Sequence, residues 1–154
     1  MAKKQSAGII LYRLEEEKLH IFLVHPGGPF WQKKDEGSWS IPKGEFLDGE
    51  NPLKAATREF EEETGSKLSG NFIELIPVKQ KGGKTVYAWA LQGNINADTI
   101  KSNTFTIEWP PKSNKLVTYP EVDKAAWFNA DIACIKINPS QVALIDDLKS
   151  KLKT

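Results

Sequence analysis

Three carboxylates constrain this chain more than anything else in it: Glu59, Glu62 and Glu63, within the stretch GEFLDGENPLKAATREFEEETGS that runs from Gly44 to Ser66. Their spacing of i, i+3 and i+4 puts them on neighbouring positions of one helix turn. Like charges so close repel, and a helix gains no stability from gathering them. A divalent cation reverses that cost. Carboxylate and water ligands suit Mg²⁺ best, or Mn²⁺. The acidic turn therefore reads as an oxygen-ligand metal site.

The helix is bounded by ordinary signals. Asn51 is a good N-cap, Pro52 suits the first turn and Gly65 suits a left-handed exit. Leu53, Ala56 and Phe60 form an apolar stripe that should face a sheet. At about 100° per residue the three carboxylates lie to one side of that stripe. They are expected to be exposed to a cleft rather than buried.

Gly44, Glu50, Arg58, Glu59, Glu62, Glu63 and Gly65 together resemble the Nudix box, the signature of the Nudix hydrolase superfamily. Ser66 departs from it, standing where the family usually has an aliphatic residue, a packing position. The resemblance implies a Nudix fold: an α/β/α sandwich with a mixed β-sheet, here as one domain over residues 1–154. It also implies hydrolysis of a diphosphate P–O–P bond in a nucleoside diphosphate linked to another group. Glu59, Glu62 and Glu63 would hold Mg²⁺ (or Mn²⁺), joined by a backbone carbonyl at Lys43 or Gly44. Arg58 would orient the carboxylates by pairing with Glu50 or Glu59; alone, it reads equally as a plain surface ion pair. Glu59, Glu62 and Glu121 are alternatives for the general base, Glu121 because the family often carries an acid in that loop.

The remaining chain fits a sheet–helix–sheet–helix order. Ser6–Leu14 reads as a central strand, with Ile9 and Leu11 on one face and Ile10 and Tyr12 on the other. Leu19–His25 follows, then a break at Pro26–Pro29 and a long loop to Ser38. Short strands are expected at Trp39–Ile41 and Ala125–Phe128. Longer ones are expected at Phe72–Lys79, Thr85–Leu91 and Thr104–Trp109. Pro139–Lys151 has helical spacing. Cys134, in the apolar run Ile132–Ile137, reads as a core residue.

Substrate contacts need cations and flat surfaces. Lys43, beside Gly44, is the first candidate for a phosphate. Lys79, Lys81 and Lys84 flank a Gly-Gly turn and offer phosphate contacts or a solvated hairpin. Lys33 and Lys34 stand likewise between capping a polyphosphate and staying in water. Trp31, Trp39, Tyr87, Trp89 and Trp109 are candidates for stacking a base. The run Trp39–Gly44 and the segment Lys84–Tyr87 resemble dinucleoside tetraphosphate (Ap4A) hydrolases. The loop and the Glu108–Pro111 segment resemble a bacterial group of MutT-type pyrophosphohydrolases. An Ap4A-like substrate ranks first and a nucleoside triphosphate second. A Nudix ligand sensor and an isomerase rank lower, because every box carboxylate is present and the isomerase's extra Cys and His ligands are not.

Composition closes off other classes. With 21 basic and 20 acidic residues the net charge is +1. That opposes general nucleic-acid or membrane-surface binding. The single cysteine forms no internal disulfide and suits a reducing compartment. The apolar run after Lys4 is too short for a signal peptide. A cytoplasmic protein with a small-molecule nucleotide substrate is expected. A homodimer is open, since members of the resembled family are often dimers.

Overall fold

The computed structural model describes residues 4–80 and 82–153. Seven strands make one mixed sheet: β1 (Gln5–Glu15), β2 (Lys18–Pro26), β3 (Lys43–Glu45), β4 (Ile73–Glu74), β5 (Val78–Lys79), β6 (Thr85–Gln92) and β9 (Val122–Asn129). Strands β7 (Thr104–Glu108) and β8 (Leu116–Pro120) form a hairpin of their own. The described residues also form three α-helices, α1 (Pro52–Thr64), α2 (Ala130–Lys136) and α3 (Val142–Leu152), and two short 3-10 helices (Ala97–Thr99 and Pro139–Gln141).

The order across the sheet is β4-β6-β1-β2-β9, with β1 and β6 parallel and the other neighbours antiparallel. Period-2 alternation in β1 supplies both faces, as the sequence requires. Ile9 and Leu11 join Phe22, Ala55, Ala56 and Phe60 in the core beneath α1. Ile10 and Tyr12 join Ile21, Leu23, Leu144, Ile145 and Leu148 beneath α2 and α3. Two cores, one on each face, make the expected α/β/α sandwich.

One feature of β1 positions the site. Its second half pairs with β2 through Tyr12↔Ile21, and its first half pairs with β3 through Ala7↔Gly44. Two different strands thus share one edge of β1. The chain crosses between them at Pro42, whose carbonyl accepts from the Ile9 N–H at 3.2 Å. Gly8 sits under that crossing, where a Cβ would stand 2.6 Å from the Pro42 carbonyl oxygen. Lys43 and Gly44 are thereby laid over α1.

Several expected elements differ. Phe72–Lys79 is broken into β4 and β5, because Leu75 turns into the core and Pro77 cannot donate to a ladder. Trp39–Ile41 forms only isolated bridges, to Val24 and to Ile137. The run Ile132–Ile137 is not a uniform core segment. It lies mostly in α2, with Ala133 buried, Ile132 and Ile135 exposed, and Cys134 partly buried at the edge of the core. Helix α2 opens with an Asn129 cap on the Ile132 N–H at 2.9 Å. No helix among the described residues is long and apolar enough to cross a membrane.

Candidate active site

Helix α1 begins and ends as its sequence dictates. The Asn51 side chain accepts from the N–H groups of Leu53 and Lys54 at 2.9 and 3.1 Å. Gly65 has φ +82° and donates to the Glu61 carbonyl. Between these caps, Ala56 and Phe60 are fully buried against the sheet. Glu59 and Glu62 stay partly accessible, as expected for a cleft.

Glu63 does not: it is 8% exposed. The physical reason lies in the helix period. Glu63 follows Ala56 by seven residues, so at about 100° per residue it is only about 20° off the buried stripe. Its carboxylate accepts from the Lys43 N–H at 3.3 Å. Burial first, and then the charge of Glu59, push its pKa up to about 8. Burial and the neighbouring Glu62 likewise raise Glu59.

Gly44 is required by the same packing. A Cβ there would collide with the Glu59 carboxyl group. With glycine there, the Glu59 carboxyl packs directly against β3. On the other side Arg58 makes both pairs foreseen for it, to Glu50 and to Glu59, the latter at 3.3 Å. It also faces Glu62 at 3.8 Å. Its guanidinium thus spans three carboxylates, a better match to a positioning role than to a single surface pair.

Glu121 arrives from across the cleft. Its N–H donates to the Asn103 carbonyl at 2.7 Å, and the Asn103 N–H donates to the Glu62 carbonyl at 2.8 Å. Two backbone bonds therefore tie the β8–β9 junction to the end of α1. Burial and then the charge of Glu62 raise the pKa of Glu121. A cleft of about 220 Å³ lies between Pro26, Ser40, Lys43, Glu63, Glu121 and Val122. Larger hollows exist elsewhere, beside Phe46 and Arg58 and beside Gln80, but this one is lined by both Glu63 and Glu121.

The predicted substrate residues divide. Lys43 lines the cleft, and burial followed by the nearby Lys84 lowers its pKa. Lys84 reaches Glu45 at 3.6 Å. Tyr87 is half-buried on β6 and meets Phe46 edge-on, with ring centroids 6.0 Å apart. Trp39 is placed in the core instead of on the rim. It is 5% exposed, packs edge-to-face on His25 and Phe128, and donates to Asp35. Lys81 lies outside the described residues.

Sequence reasoning missed how the long loop is held. His25 is buried, and its ring nitrogens meet Asp123 at 2.8 Å and the Lys34 carbonyl at 2.7 Å. Asp35 pairs with Lys136 of α2. The sequence signal, a histidine at a strand end, becomes informative only once β2 and β9 are known to pair.

Carboxylates, with backbone carbonyls at Lys43 or Gly44 and solvent, would supply hard oxygen donors of the kind Mg²⁺ or Mn²⁺ takes. Burial, and after it the repulsion between neighbouring carboxylates, raises Glu59 and Glu63, and a cation would relieve both costs. Among the described residues, no three acidic, histidine or cysteine side chains are gathered closely enough to close round one ion.

A family model described as the NUDIX domain matches residues 2–148. Solved structures with similar folds include an Ap4A hydrolase of C. elegans in a binary complex, with TM-score 0.67 and 22% identity, covering 97% of each chain. Another is the NUDIX domain of Shewanella oneidensis NrtR complexed with ADP ribose, with TM-score 0.66 and 16% identity, covering 99% of this chain and 90% of that one. A third is a mutT/nudix family protein from Listeria innocua, with TM-score 0.63 and 15% identity, covering 99% and 95%.

Proposed function

The chain belongs to the NUDIX domain family, and from that premise we propose a hydrolase acting on acid anhydrides, a Mg²⁺- or Mn²⁺-dependent pyrophosphohydrolase of a dinucleoside polyphosphate. The observation that carries this reading is the carboxylate turn of α1, closed by Gly44 on one side and faced by Glu121 on the other.

A cation held by Glu59, Glu62, Glu63 and a carbonyl of Lys43 or Gly44 would polarise phosphoryl oxygens and acidify a water. The chain's own groups do the rest. Arg58 fixes Glu59 and Glu62 in place. Lys43, lining the cleft, offsets negative charge on the phosphoryl group as it develops. Glu121 is our choice among the candidate bases. Glu59 is engaged by Arg58 and packed against Gly44, whereas Glu121 lines the cleft, where burial and then Glu62 raise its pKa. Lys84, near Lys43, and Tyr87 are our further candidates for substrate contacts. The protein acts as one domain, in the cytoplasm, on a small nucleotide.

The Ap4A-like substrate is favoured by the run Trp39–Gly44 and supported by the likeness to the C. elegans hydrolase fold. The test is product chromatography after incubation with Mg²⁺ and a panel of Ap4A, nucleoside triphosphates, ADP-ribose and NADH. ATP plus AMP from Ap4A, faster than any other turnover, supports the reading. Nucleoside monophosphate plus pyrophosphate from triphosphates would replace it with a MutT-type activity. Binding without turnover of any compound would replace it with a sensor.

A further inference from the structure

The 27–36 loop and the β7–β8 hairpin meet in an aromatic wall that the carboxylate chemistry leaves unexplained. Phe30 and Trp109, far apart in sequence, pack edge-to-face with centroids 5.0 Å apart. Phe30 is nevertheless 62% exposed and the adjacent Trp31 37% exposed. Large aromatics left open to water at one place mark a binding surface more often than scattered apolar residues do.

The wall is built, not incidental. Gly28 has φ +97°, and a Cβ on it would stand 2.8 Å from the Phe105 ring, so the loop lies directly on the hairpin. Asp35 and His25 anchor the far end of the loop. The base of the loop that carries the wall adjoins the cleft. The Gly27 N–H donates to the Glu121 carbonyl at 2.8 Å, and Pro26 lines the cleft itself. Phe30 is three residues from Gly27, hence within about 11 Å of it. Lys34 stands over the Trp31 ring, its Nζ 5.0 Å from the centroid, and sets a cation beside the flat surface.

We propose that Phe30, Trp31 and Trp109 form a stacking subsite for a nucleobase of the substrate, with Lys34 beside it for a phosphate. This rests on the hydrolase reading above and extends it. An edge-to-face aromatic pair leaves ring faces open, and a base offers a matching face without needing specific hydrogen bonds. The adjoining cation favours a nucleotide over a purely apolar partner or a second copy of the chain.

The test has two arms. In excess chelator, AMP and ribose 5-phosphate are titrated against tryptophan fluorescence. AMP should quench it and ribose 5-phosphate should not, and Phe30→Ala should weaken the AMP response about tenfold, the scale of one lost base–aromatic stack. In Mg²⁺, Phe30→Ala and Trp109→Ala should raise KM for nucleotide substrates about tenfold with little change in kcat, and Phe30→Tyr should restore it. Hydrolysis of base-free tripolyphosphate should not change between these variants. Equal responses to AMP and ribose 5-phosphate, or wild-type KM in both alanine variants, would overturn the subsite and leave the hydrolase reading standing. A protein that hydrolyses nothing would defeat the hydrolase reading, and the fluorescence arm would still decide the subsite. If Phe30→Ala instead dissociates a dimer while AMP leaves the fluorescence unchanged, the wall is a contact between copies.

Discussion

Two rims meet near Pro26 and Glu121, one acidic and one aromatic, and they are made by opposite means. One rim is α1 with β3, where charge is concentrated: Glu59, Glu62 and Glu63 within five residues of one helix, with Lys43 and Gly44 laid on them. The other is the loop and hairpin, where charge gives way to aromatic surface: Phe30, Trp31, Phe105 and Trp109. The acidic rim is encoded by spacing inside a single segment. The aromatic rim exists only because β2 and β9 pair and bring distant segments together. The proposed chemistry is thus written within one segment, and the surface proposed to take a base is assembled from loops.

The largest effect should fall on the acidic rim as a whole. Excess EDTA is expected to abolish hydrolysis and Mg²⁺ or Mn²⁺ to restore it; turnover surviving in chelator would remove the metal from the account. Next is Glu62→Gln, which deletes one charge from a partly exposed position. It should cut kcat by about 10²–10³, while the thermal midpoint stays close to wild type, as for other surface changes. Near-normal turnover in that variant would mean the carboxylate turn is ordinary helix surface.

Gly44→Ala probes the contact between β3 and α1. The added methyl displaces the Glu59 carboxyl, and a shift of about 1 Å at such a group costs about a hundredfold. Kinetics that match wild type would show that Glu59 needs no such cradle.

The smallest effect is on stability in the absence of metal. The Glu63 pKa is raised from 4.5 to about 8 on folding. A raised carboxyl pKa means the folded state holds the proton more tightly than the unfolded one. Its stabilisation is therefore complete below pH 4.5 and is lost as pH rises toward about 8. In chelator the thermal midpoint should fall between pH 5 and 8 more steeply for wild type than for Glu63→Gln. Equal slopes would show that Glu63 is not the group responsible.

Much of the acidic rim was legible in the sequence because helix caps and the 3.6-residue period act within one segment. Asn51 and Gly65 bound α1 where their chemistry requires, and Arg58 makes both of the pairs foreseen for it. The exposure of Glu63 was misread because three residues were averaged into one direction, when Glu63 nearly overlies Ala56. Trp39 was misplaced on the rim because an indole before the box reads the same whether it stacks a ligand or fills the core. Its place depends on His25 and Phe128, which only the fold brings to it. Strand β8 and helix α2 escaped notice for the same reason as the aromatic rim. Leu116–Pro120 alternates over too few residues to stand alone, and α2 is two turns long, with exposed Ile132 and Ile135 masking its polarity.

The most direct test of the central claim leaves activity aside. Free Mn²⁺ is followed by its paramagnetic resonance signal during titration with wild type and with the double variant Glu59→Gln, Glu62→Gln at neutral pH. Wild type should remove Mn²⁺ from solution, and the double variant, folded by circular dichroism, should bind it at least about tenfold more weakly. Equal uptake by the two proteins, or none by wild type, would contradict the assignment of the α1 carboxylates as the metal site.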